Sequence, residues 1–149
     1  MLRKILGVVT GYVVMNVTAF MTYSGLYLAI GADRAYEPGT YEVSLLWIAA
    51  ILVLGFIAAV VAGYLCKRIA GDLGTVVILA GIVVGLGIAA ATAISFNQPK
   101  PKQARSSDVS NYEAMKYGRK PLWVEFAIPI VGFAGILVGG GAVGRKIKE

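Results

Sequence analysis

Val43-Ser-Leu-Leu-Trp-Ile-Ala-Ala-Ile-Leu-Val-Leu-Gly-Phe-Ile-Ala-Ala-Val-Val-Ala-Gly-Tyr-Leu-Cys66 runs for 24 residues without a charged side chain. A bilayer core of about 30 Å is crossed by roughly 20 residues of helix, so this stretch is long enough to span one. Three more runs match it: Ile5–Ala32 with 28 residues, Leu73–Pro99 with 27, and Phe126–Gly144 with 19, or 23 from Leu122 if Glu125 sits at the rim. In hydrocarbon every backbone amide must be satisfied within its own segment, which makes each run a helix. A barrel would need short alternating segments, and the sequence offers none. The expected fold is all-α: a polytopic membrane protein with one domain over residues 1–149. Its transmembrane helices fall at about 5–31, 43–66, 73–97 and 122–144, as one bundle or two tandem hairpins.

The composition agrees. Apolar residues make up 58% and charged residues 15%, against about a quarter charged in soluble domains. The net charge of +6 would suggest a nucleic-acid partner in a soluble chain. Here the bases flank the apolar runs, where anionic headgroups lie, so lipid is the expected partner and nucleic acid is not. Arg3 and Lys4 open the chain like a signal peptide, but the first run is too long and lacks a small-residue exit, so it reads as a retained helix. Histidine is absent, which removes the commonest metal and haem ligand. Cys66 is the one cysteine, which excludes an internal disulfide. It reads as a small residue at a helix end. Neither a catalytic site, a metal site nor a bound cofactor is expected, lipid or pigment contact aside.

The connections differ in character. The first, Gly31 to Glu42, carries Asp33, Glu37 and Glu42 against Arg34, with a turn signal at Pro38-Gly39. The second, Lys67 to Gly74, is short and basic, so the spans beside it are antiparallel neighbours. The third, Asn97 to Pro121, opens on Pro99-Lys-Pro101 in extended form. A short interfacial helix from about Asp108 to Tyr117 follows, capped by Ser107 and ended by Gly118. On it Val109, Tyr112 and Lys116 share a face, and Tyr112, Met115 and Tyr117 rest at the membrane surface. Trp47 and Trp123 begin the second and fourth spans on one side, with Tyr36 and Tyr41 in the same aromatic zone. Lys and Arg divide seven to seven between the two sides. The basic start and acidic far end of the first span decide the orientation: both termini cytoplasmic, in a bacterial inner membrane.

The 19 glycines are the strongest functional clue. Lipid does not drive helices together, so close packing at small residues must. Gly55, Ala59 and Gly63 mark one groove, Gly81, Gly85, Ala89 and Ala93 another. Gly132, Gly135, Gly139, Gly140 and Gly144 give the last span glycine on more than one face, one of which is expected to meet a partner. The second and fourth spans also echo each other: Leu46-Trp47, Gly55-Phe56 and Lys67-Arg68-Ile69 against Leu122-Trp123, Gly132-Phe133 and Arg145-Lys146-Ile147, at offsets of 76, 77 and 78. Gly7-x-x-x-Gly11 and Gly81-x-x-x-Gly85 are the matching pair in the other two.

The first span carries a polar-aromatic stripe of Tyr12, Asn16, Phe20, Tyr23 and Tyr27. Asn16 is suited to an interhelical hydrogen bond, or the stripe lines a substrate path or binds a lipid headgroup or pigment ring. Glu125 is the acid nearest a span. Pro129 removes the helical partner of the Glu125 carbonyl, which makes the pair a candidate rim cation site; the plainer reading pairs Glu125 with Arg119 or Lys120. With no nucleophile and base together, the chain reads as a non-enzyme. The favoured function is an accessory or structural subunit, or a scaffold, that packs against other transmembrane subunits or itself through glycine-rich helix faces. The alternative is a small oligomeric transporter or channel, against which stands the lack of an ionisable residue at mid-depth. Tyr112-Glu-Ala-Met115, then Lys120-Pro-Leu-Trp123 and a glycine-rich last helix, loosely resemble small uncharacterised four-helix proteins of bacterial inner membranes; the resemblance implies no activity.

Overall fold

The computed structural model describes residues 1–97 and 109–142. It is helical, with α1 at Leu2–Ile30, α2 at Ala32–Ala35, α3 at Leu45–Ala70, α4 at Leu73–Asn97, α5 at Asn111–Tyr117 and α6 at Leu122–Ala142. Of these, α1, α3, α4 and α6 are long and apolar enough to cross a membrane.

Local chemistry sets the helix ends: α1 begins at Leu2, ahead of the charge-free run, and both ends of α3 move from the positions that such a run suggests. α3 starts at Leu45, because the Ser44 hydroxyl accepts the Trp47 N–H at 3.2 Å. It continues past Cys66 to Ala70, because Lys67 and Arg68 suit the negative end of a helix dipole. Gly71 then stops it in the left-handed region, at φ 83°, with its N–H on the Lys67 carbonyl. The basic turn therefore shrinks to Gly71 and Asp72. Asp72 caps α4, accepting the Thr75 N–H and hydroxyl at 2.9 Å each, which satisfies a Thr75 that is otherwise buried. The Lys4 ammonium lies 3.4 Å from the same carboxylate, fixing the start of α1 beside this turn.

The short helix begins three residues later than expected. Ser110, not Ser107, accepts the Glu113 N–H, and Gly118 closes the helix on the Ala114 carbonyl. Ser107 and Asp108 lie outside the described residues, as do Pro99, Pro101 and Gly144. Val109 precedes α5 and is buried, whereas Tyr112 is 74% exposed, so the two do not share a face.

The four long helices pack in the ring order α1, α3, α6, α4, with the α1–α4 seam the loosest. α3 and α6 run in the same direction. A methyl on Gly63 would strike the Ile136 backbone, one on Gly139 the Val60 carbonyl, and one on Gly135 the Ala59 methyl and Phe56 carbonyl. Backbone therefore lies on backbone along this seam, as small residues four apart permit. The second glycine face of α6 meets α4, with Gly140 on Val76, Gly132 on Val83, and Pro129 over Gly87. Both faces are thus used within the chain. Gly7 and Gly11 set α1 against Ala62, Cys66 and Ala70 of α3. Gly81 and Gly85 behave otherwise: a methyl on either would meet nothing within 4 Å.

This contrast predicts opposite effects of one substitution. Gly63→Ala and Gly139→Ala should each destabilise the bundle by about 1–3 kcal/mol through overpacking. Gly81→Ala and Gly85→Ala should be neutral, or stabilising by up to about 1 kcal/mol through helix propensity. Thermal unfolding of all four variants as dissociated single chains in detergent, followed by circular dichroism, decides it; equal losses at all four would contradict the described packing.

The Asp72 cap predicts a pH dependence. Its carboxyl is held below the usual carboxylate range, first by the Thr75 N–H, then by the Thr75 hydroxyl, with Lys4 adding to them. A lowered folded-state pKa contributes stability above the ordinary carboxylate pKa that is lost as pH falls through the lowered value. The melting temperature of the wild type should therefore exceed that of Asp72→Asn at pH 7, and the gap should close on acidification below pH 4. A gap independent of pH would refute the cap's charge.

Candidate functional site

The ends of the helices away from the Gly71-Asp72 turn carry a folded cap, built from both long connections. After α2 the chain reverses through Gly39, at φ 70°, and Tyr36 bridges Val43. The Val43 N–H then bonds the Arg119 carbonyl at 2.9 Å, and the Arg119 N–H bonds the Tyr41 carbonyl at 2.7 Å. The first and third connections are thereby joined backbone to backbone. Tyrosines lock this cap onto the helices. The Tyr27 hydroxyl of α1 donates to the Val109 carbonyl at 2.8 Å, and the Tyr36 hydroxyl to the Ala114 carbonyl of α5 at 2.7 Å. Tyr27 also packs edge-on against Tyr36 and Trp47, at 6.4 and 6.0 Å between ring centroids, an arrangement that ring quadrupoles favour. Asn111 on α5 donates to Ser24 on α1 at 3.2 Å.

Beneath the cap, α1 stands off from its neighbours. Near the turn, Gly7 and Gly11 let it touch α3 closely. Toward the cap, Tyr23 fills the gap instead, its hydroxyl lying over Gly55 and donating to the Ile51 carbonyl at 3.0 Å. Two adjoining cavities result. One, of about 330 Å³, lies under α5 and is walled by Phe20, Tyr27, Tyr36, Trp47 and Met115. The other, of about 360 Å³, lies between α1, α4 and α6 and is walled by Tyr12, Met15, Asn16, Leu86, Ala90 and Pro129. Tyr23, Lys120 and Ile128 line both. Each is at the small end of the ~300–1,000 Å³ range of ligand pockets. Asn16, Leu86 and Ala90 are exposed, so the second cavity opens sideways between α1 and α4.

The charged feature of this cleft is one ion pair. Lys120 Nζ lies 3.4 Å from Glu125 Oε1, with the side chains 29% and 10% exposed. The cation beside Glu125 is thus an ammonium of the same chain. Pro129 sits inside α6 without breaking it and leaves the Glu125 carbonyl without its usual helical donor.

The residues singled out from the sequence separate into groups. Gly55, Gly63, Gly132, Gly135, Gly139 and Gly140 lie at contacts within the bundle, while Gly81 and Gly85 face outward. Tyr12, Asn16, Tyr23 and Tyr27 do line the cleft, but among the described residues Asn16 makes no interhelical bond: its amide donates to the Tyr12 carbonyl of its own helix at 2.8 Å. Among the described residues no group of three or more Cys, Asp or Glu is placed to hold a metal. Lys120, Trp47, Asn111 and Ser24 belong to the cleft without having been expected there. Lys120 was visible as a potential Glu125 partner five residues away, but its place in the cleft depends on how α5 folds back over α1.

The ion pair makes a prediction. Lys120→Met alone strands a carboxylate that is nearly buried and should cost about 1–3 kcal/mol. Adding Glu125→Met should restore most of that loss, because an apolar pair of similar volume replaces the ionic one. Melting temperatures of the single and double variants in detergent test the coupling, and additive losses would rule it out.

The chain was compared with protein-family models, with curated proteins and with solved structures, and it matches none of them.

Proposed function

We propose that this chain is a multi-pass protein of a bacterial inner membrane, with both termini cytoplasmic, and acts as a non-enzymatic accessory or scaffold subunit. It would bind a transmembrane helix of another subunit, or of a second copy, along the outer face of α4. The membrane setting is supported by the apolar surface of the long helices, where Val9, Val13, Val17, Val53, Ile57, Val77 and Ile78 are all about half exposed or more. A continuous apolar surface of that extent is an association liability in water and suits lipid. The Lys4–Asp72 contact agrees with the N-terminus lying on the side of the α3–α4 turn.

One observation carries the subunit reading. Gly81 and Gly85 stand four apart on α4 with open space over both. Glycine within a helix costs about 1 kcal/mol relative to alanine. At Gly63, Gly135 and Gly139 close backbone contact offsets that cost; at Gly81 and Gly85 nothing among the described residues does. Small residues at this spacing are what a second helix needs to approach closely in lipid, where the hydrophobic effect gives no help.

Gly81→Leu/Gly85→Leu fills the open face without touching the internal seams. Purified in mild detergent and weighed intact by native mass spectrometry, the wild type should carry a partner or a second copy, and the double variant should lose it while keeping its helicity. A wild type that runs as a solitary chain under these conditions would sink the proposal.

A further inference from the structure

The cleft under α5 changes character along its length, with the Lys120–Glu125 pair as its charged polar point and Ser24, Asn111 and Asn16 as neutral polar groups on its walls. The cavity below the cap is walled largely by rings and by Met115; the cavity between α1 and α4 is walled on the α4 side by aliphatic groups, Leu86, Ala90, Ala91 and Ile94, faces Tyr12 and Asn16 on α1, and opens sideways, in a membrane toward the acyl chains. Such a sequence of environments fits a ligand with a flat head and an apolar tail. Charge selects the kind of head. Glu125 neutralises Lys120, so the polar point carries no net charge, and an ammonium with three donors has two beyond the one directed at Glu125. A phosphate or carboxylate head would bring its charge against a carboxylate that is 10% exposed, where repulsion is poorly screened. An uncharged head with carbonyl oxygens can accept from Lys120 without that repulsion, and a flat ring can pack against Tyr27 and Trp47.

We infer that this cleft binds an uncharged, ring-headed lipid of the quinone class, its ring under α5 with an oxygen toward Lys120 and its tail leaving between α1 and α4. The inference rests on the membrane setting proposed above but not on a partner at α4. Gly81 and Gly85 face away from the side of α4 that carries Val83, Gly87 and Ala91 into the cleft, so binding and subunit association fail separately.

Tryptophan fluorescence provides the test. Trp47 lines the ring-walled cavity, whereas Trp123 is 57% exposed and lines neither. The full chain in dodecyl maltoside is titrated with a decyl-tailed dimethoxy-methyl-benzoquinone, which quenches indole emission. In a Trp123→Phe chain the emission of Trp47 should fall along a saturating curve. In a Trp47→Phe chain the emission of Trp123 should fall linearly, as for quinone dissolved in the micelle. Lys120→Met/Glu125→Met, on the Trp123→Phe background, should weaken the saturating phase about tenfold through loss of one hydrogen bond, with unchanged circular dichroism. Linear quenching at Trp47, or undiminished affinity in the Met pair, would overturn the inference. So would displacement of the quinone by phosphatidylglycerol at equal mole fraction, which would assign the cleft to an anionic lipid.

Discussion

The backbone-on-backbone contact between α3 and α6 is the constraint on which the rest of the molecule depends. Gly63 lies on the Ile136 backbone and Gly139 on the Val60 carbonyl, so at these points the two parallel helices meet backbone to backbone. Dispersion is strong at such separations because many atoms come within contact distance at once. The seam also fixes the rotation of α6 about its own axis. Once Gly135 and Gly139 face α3, Gly132 and Gly140 must face about a quarter turn away, and there α4 docks. The positions of α4 and of α3 are therefore set by one helix with two glycine faces.

The cleft follows from the same arrangement. α1 reaches α3 through Gly7 and Gly11, and α4 reaches α6 through Gly87 and Pro129, but among the described residues α1 closes on α4 through a glycine only near the turn, where Gly11 meets Leu79. Near the cap the groups on α1 are Phe20, Tyr23 and Tyr27, which are too large for close approach. The tyrosine hydroxyls need acceptors in this setting. They find them on Ile51 of α3 and on Val109, just before α5. The rings that hold the helices apart thus also tie down the segment that roofs the gap.

How far the sequence could be read varied with the range of the forces involved. The last turn of α3 was missed because Lys67 and Arg68 read as the end of an apolar run, although a helix end tolerates cations through its dipole. Ser107 and Ser110 are equivalent caps by local preference. Val109, lying between them, is drawn under Tyr27 and leaves Ser110 to start the helix. Asn16 suggested a bond between helices, yet its amide returns to the Tyr12 carbonyl of its own helix. The polar-aromatic stripe of Tyr12, Asn16, Tyr23 and Tyr27 was legible from helical spacing alone. Its opposite wall, on α4 and α6, was not.

By itself the sequence determined four apolar helices, their order and their alternating directions, because span length and the exclusion of charge act within a single segment. It also determined which helices could approach closely, because glycine is recognised wherever it stands. Only the tertiary structure decided which glycines were used. Gly63 and Gly139 were buried and Gly81 and Gly85 left open by the rotation of each helix in the bundle, which depends on all its neighbours together. Lys120 likewise became part of a cleft only when the two connections joined at Val43 and Arg119 and carried α5 over α1.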